Sequence, residues 1–98
     1  MRKDRVKLIN FNDNRWNCNV LNDIITKTER YITEMGYSEA ELVSIEDNSW
    51  EDKENCRYDI EIQFMSGKRL VRQKLLLLKG ELLDGKTFHK RFGEFYNV

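Results

Sequence analysis

Apolar residues recur along this chain with two different periods, and the change of period marks its elements. Between Val20 and Met35 the apolar positions are Val20, Leu21, Ile24, Ile25, Tyr31, Ile32 and Met35, with small Thr28 completing the stripe. They form one face of a repeat of about 3.6 residues, which predicts an amphipathic helix over Val20 to Met35. Asn17 or Asn19 supplies a side-chain oxygen for its first orphan amides, and Gly36 suits the left-handed residue that ends a helix. Further on the period drops to two. Tyr58, Ile60, Ile62 and Phe64 alternate with Asp59, Glu61, Gln63 and Met65, the pattern of a half-buried strand.

A two-residue turn at Ser66-Gly67 closes that strand into a hairpin. The register then places Met65 opposite Lys68, Ile62 opposite Val71 and Tyr58 opposite Leu75. On the other face Glu61 meets Arg72 and Asp59 meets Lys74. A slip of one residue would carry charged side chains to the apolar face, at far greater cost than the cross-strand pairs return. Glu41 to Glu46 reads as another strand with Val43 and Ile45 inward, and Arg5 to Phe11 as a further candidate. At the end of the chain Phe88, Phe92, Phe95 and Tyr96 share a helical face opposite Lys86, Lys90 and Glu94. Gly93 costs that helix about 1 kcal/mol relative to Ala, so it should be short. The expectation is one α+β domain over residues 1–98: a small antiparallel sheet of three strands, or four with Arg5 to Phe11. A long N-terminal helix and a short C-terminal one complete the order (β)αβββα.

Length and composition agree with a single compact unit. Ninety-eight residues with no proline and 40% hydrophobic side chains can close one core and not two. The longest apolar run, Leu75 to Leu78, is far short of a membrane span, and no apolar stretch follows Met1-Arg2-Lys3-Asp4-Arg5 to make a secretory signal. The expected location is therefore cytoplasmic, where Cys18 and Cys56 stay reduced. Abundant Asn, Lys and Ile beside a single alanine, Ala40, fit an AT-rich genome such as that of a phage or mobile element.

Seventeen basic and seventeen acidic groups cancel overall, but they are not evenly spread. Residues 1–35 carry a net +2, residues 36–65 a net −7 and residues 66–98 a net +5. The acidic excess is concentrated from Glu46 to Asn55, a connection holding five carboxylates, Lys53 and Trp50. A large apolar side chain among acids on a connection suits an anchor for a protein partner, since tryptophan is enriched at interface hot spots. The candidate contact residues are Asp47, Trp50, Glu51, Asp52 and Glu54.

Other chemistry is poorly served. No Gly-rich phosphate loop or nucleophile elbow is present, and His89 is the only histidine. Cys18, Cys56 and His89 cannot fill a structural zinc site, and the acidic connection lacks calcium-loop spacing. No catalytic residue, metal or cofactor is assigned. Nucleic acid is the less favoured alternative partner, through the basic arm Arg2, Lys3 and Arg5 and the helix residues Lys86, Lys90 and Arg91. The order αβββα is also that of double-stranded RNA-binding domains, but their compact lysine motif is missing, so order alone carries no family. The sequence points to a small non-catalytic interaction protein, an inhibitor or regulator.

Overall fold

The computed structural model describes residues 6–11, 23–48 and 57–93. Among these, five strands and two helices follow in the order β1 (Lys7–Ile9), α1 (Ile24–Glu34), β2 (Glu41–Asp47), β3 (Arg57–Ser66), β4 (Arg69–Leu78), β5 (Glu81–Leu83) and α2 (Gly85–Phe92). The α+β class is as expected, but the sheet has five strands and is mixed. Its spatial order is simply β1-β2-β3-β4-β5. β1 runs parallel to β2, with Leu8 opposite Ile45, and the remaining neighbours are antiparallel. Parallel neighbours need a long crossover, which the segment containing α1 supplies.

The first helix is shorter than the stripe from Val20 to Met35 implied. It spans eleven residues from Ile24 to Glu34, with Asp23 at the cap position but no side-chain capping bond. The expected caps Asn17 and Asn19 lie outside the described residues. Ile24, Thr28 and Ile32 form its buried ridge, and the Thr28 hydroxyl donates to the Ile24 carbonyl at 2.7 Å, so this buried polar group is satisfied. At the other end the Gly36 amide donates to Thr33 O at 3.0 Å and the Tyr37 amide to Ile32 O at 3.2 Å. With Gly36 at φ +101°, this is the paired closure in which a left-handed residue satisfies the last carbonyls. Met35, expected on the apolar stripe, is left 42% exposed.

The β3–β4 hairpin differs from expectation by two residues. Ser66 pairs with Arg69, so the turn is Gly67-Lys68, and the pairs become Phe64–Val71, Ile62–Gln73, Glu61–Lys74, Asp59–Leu76 and Tyr58–Leu77. Gly67 has φ +63°, whereas Lys68 is not left-handed. Glycine therefore sits at the first turn position, as a type II′ turn requires, and not at the second. An even displacement preserves the faces. Tyr58, Ile60, Ile62 and Phe64 still line the main core, with Leu75 and Leu77 opposite them.

β2 departs from simple alternation. Leu42 pairs with Phe64 and Ser44 with Gln63, so Val43 is the extra residue of a bulge. Leu42 and Ile45 are consequently the inward residues, and Val43 is only half-buried. β5 had not been anticipated. Leu78 pairs with Glu81 across the turn Lys79-Gly80, whose residues have φ +50° and +85°, the two left-handed positions of a type I′ turn. The run Leu75 to Leu78 thus serves two faces: Leu75 and Leu77 enter the main core, while Leu76 and its partner Leu83 are buried on the other face.

α2 ends at Phe92, with Gly93 as its left-handed cap at φ +71° donating to His89 O at 2.8 Å. Gly93 therefore terminates the helix and imposes no interior cost. Phe88 and Phe92 do share one face, with ring centroids 4.9 Å apart, whereas Phe95 and Tyr96 lie outside the described residues.

Candidate interaction surfaces

Pairing of β3 with β4 sets Glu61 of the acidic block opposite Lys74 of the basic one, so the two blocks meet in the hairpin. The acidic block lies around the ends of β2 and the start of β3. Glu46 stands directly opposite Glu61, an unfavourable like-charge pair relieved on one side by Lys74 and on the other by Asn10. The Asn10 amide Nδ2 donates to Glu46 Oε2 at 3.2 Å, from a residue at φ +63°. Past the last β2–β3 pair, the Asn48 amide donates to Asp59 O at 2.7 Å and fixes the root of the connection to β3.

Asp47 belongs to this root and not to an exposed loop. It is the last residue of β2, paired with Ile60 and only 3% exposed. Its carboxylate is thus withdrawn from the contact surface expected of it. The other expected contacts, Trp50, Glu51, Asp52 and Glu54, lie outside the described residues.

At the opposite margin of the sheet, β5 meets both helices. A cleft of about 280 Å³ opens between α1 and β5, lined by Lys27, Arg30, Tyr31 and Glu34 of the helix and by Gly80, Glu81 and Leu82. Tyr31 donates its hydroxyl to Asp84 Oδ2 at 3.3 Å, and Asp84 Oδ1 accepts the Thr87 amide at 2.7 Å. Asp84 thereby caps α2 and ties it to α1. Burial, and then the Asp84 charge and hydrogen bond, push the Tyr31 hydroxyl well above the ordinary tyrosine range. Burial opposes ionisation of Asp84, but the Thr87 amide and hydroxyl, the Tyr31 hydroxyl and nearby Lys86 outweigh it and hold the carboxyl below its usual range.

At its other end α2 meets the same cleft, where Arg91 donates to Glu81 at 2.8 Å. That hydrogen bond, more than the attraction of the charges, lowers the Glu81 pKa. Of the basic residues expected to meet nucleic acid, Arg91 is therefore engaged internally. Lys86 and Lys90 are exposed on α2, and Arg2, Lys3 and Arg5 lie outside the described residues. Sequence reasoning missed Lys27, Arg30, Tyr31 and Asp84. An Asp one residue before a helix with Thr three positions on was a readable cap signal, but only the fold brings α1 to β5.

His89 is exposed on α2, whereas Cys18 and Cys56 lie outside the described residues. Among the described residues no three His, Cys, Asp or Glu side chains are grouped so as to hold a metal ion, and no helix is long and apolar enough to cross a membrane. Comparison of the chain with protein-family models, with curated proteins and with solved structures finds no match in any of the three.

Proposed function

We propose that this is a small non-catalytic, cytoplasmic protein that binds another protein, as an inhibitor or regulator of phage or mobile-element type. Its contact surface is the acidic connection between β2 and β3, with Trp50 as anchor and Glu51, Asp52 and Glu54 around it. The observation that carries this reading is the root of the connection. The sheet fixes both its ends on two central strands, held by the Asp47–Ile60 pair and the Asn48–Asp59 hydrogen bond. A large apolar side chain on a firmly rooted, single-signed connection suits a basic partner surface. Acids at the rim would speed encounter, and the tryptophan would hold the complex. Asp47 is given a supporting place at the root.

The test is capture of the partner from the native host, with nuclease present, followed by measurement on the purified pair. Trp50→Ala should weaken binding by about 2 kcal/mol or more, near thirtyfold, with the thermal midpoint nearly unchanged. Glu51→Gln with Asp52→Asn should slow association, and more so at low salt. Unfolding of Trp50→Ala would place the tryptophan in the core and end this reading.

A further inference from the structure

β5 covers only one end of β4, pairing Leu76, Leu77 and Leu78 with Leu83, Leu82 and Glu81. From Arg69 to Leu75 no described strand lies on that side of β4, so this stretch is a further edge of the sheet. The helix α2 doubles back from it, since Arg91 reaches Glu81 at the turn end of β5. The two turns fix which backbone groups of this edge are free. Ser66 and Arg69 flank a two-residue turn and exchange hydrogen bonds, and such exchange alternates along an antiparallel ladder. Val71, Gln73 and Leu75 therefore bond to β3, while the N–H and C=O of Leu70, Arg72 and Lys74 point away from it. Leu78 and Glu81, which flank the Lys79-Gly80 turn, give the same alternation from the other end. Among the described residues no backbone bond outside the helices and ladders reaches Leu70, Arg72 or Lys74. All three are exposed, and an open groove of about 430 Å³ lies against Glu61, Arg72, Gln73 and Lys74.

We propose that this edge of β4 binds an extended acidic segment of a partner protein as an added strand. Its outward groups recur at every second residue, the spacing at which a strand presents its own N–H and C=O groups on one side. Residues of the added strand opposite Arg72 and Lys74 share their face of the sheet, so carboxylates at alternate positions meet both cations. Lys68 and Arg69 carry the positive charge on to the hairpin tip. All four cations are exposed, and none makes an ion pair among the described residues. The facing stretch of β3, from Glu61 to Ser66, supplies one carboxylate, Glu61 opposite Lys74. An acidic strand therefore suits this edge better than a neutral one. The same cations disfavour a second copy, because full antiparallel overlap of two β4 edges sets Arg72 against its own counterpart. The surface is independent of the Trp50 connection, which leaves the sheet at the Asp47–Ile60 end.

The experiment is fluorescence anisotropy of a labelled peptide alternating glutamate with valine, with a lysine–valine peptide as its counterpart. The acidic peptide should bind, and more weakly as salt rises. N-methylating all its glutamate amides, or all its valine amides, removes the N–H groups from one edge of the strand or from the other. One of these two peptides should lose binding and the other should keep it, because only one edge faces β4. Arg72→Glu with Lys74→Glu should weaken binding by about tenfold, with circular dichroism establishing that the variant is folded. Lys27→Glu with Arg30→Glu changes net charge equally at the α1–β5 cleft and should weaken it far less. On the unaltered protein, NMR hydrogen exchange reads the edge directly. The amides of Leu70, Arg72 and Lys74 should exchange freely without peptide and become protected with it, whereas those of Val71 and Gln73 are protected throughout. No binding of the acidic peptide at low salt, equal loss from both methylated sets, or no new protection at Leu70, Arg72 and Lys74 would overturn the proposal. Equally tight binding of the lysine–valine peptide would overturn it too, as would dimerisation through this edge in sedimentation velocity, the latter in favour of a second copy.

Discussion

Replacing Asp84 with alanine removes two contacts at once, and their sum can be worked from the structure. The carboxylate caps α2 by accepting the Thr87 amide at 2.7 Å, and loss of such a cap costs about 1 kcal/mol. It also accepts the Tyr31 hydroxyl at 3.3 Å, a longer and half-buried bond worth about 0.5–1 kcal/mol. Asp84→Ala should therefore destabilise the domain by about 1.5–2 kcal/mol, a fall of roughly 6–16 °C in thermal midpoint for a chain this size. Tyr31→Phe should cost only the second part, and Asp84→Asn, which retains a capping oxygen, should cost less than alanine. Urea unfolding of the two single variants and the double Tyr31→Phe/Asp84→Ala variant closes the cycle. The contact predicts a coupling of about 0.5–1 kcal/mol, whereas strictly additive losses would show that it contributes nothing. The same carboxylate sets a pH dependence. Its folded-state pKa lies below the unfolded value of about 3.9. Its contribution is therefore fully present above that value and is lost as pH falls through the folded pKa. Asp84→Asn should flatten this acid limb, and an unchanged limb would refute the assignment.

Other outcomes follow from register, turn and packing. Charge reversals at Glu61 and Lys74, which face each other, should show a coupling of about 0.2–1 kcal/mol, larger than the coupling of Glu61 with Arg72. The reverse ranking would favour a turn at Ser66-Gly67. Lys79→Asn should raise stability by about 0.5–1 kcal/mol in thermal melts, because asparagine tolerates φ +50° better than lysine. Leu76→Ala should cost about 2–5 kcal/mol, since Leu76 is fully buried on the second face of the sheet, and a loss under 1 kcal/mol would mean that face is loosely packed.

What the sequence determined by itself was the set of faces. Side-chain direction alternates strictly along a strand, so Tyr58, Ile60, Ile62 and Phe64 had to share the buried face whichever even register the hairpin took. The repeat of Ile24, Thr28 and Ile32 likewise declared a buried ridge, because residues four apart on a helix stand one above another. Gly36 marked the helix end for the local reason that a left-handed residue costs glycine little. The acidic and basic blocks were also plain in the chain. Tertiary structure decided everything that depends on a partner. The hairpin register turned on whether Gly67 occupies the first or second turn position, and only pairing across the whole ladder settles that. The bulge at Val43 exists because β2 must match β3, and no periodicity within β2 announces it. Lys7–Ile9 becomes a strand by lying parallel to β2 across a crossover, and Glu81–Leu83 by folding back on β4. The candidate surfaces share this division. Residue types along the chain supplied the charges, but the fold set Glu61 against Lys74, withdrew Asp47 into the interior, and brought Lys27 and Arg30 to the cleft beside β5.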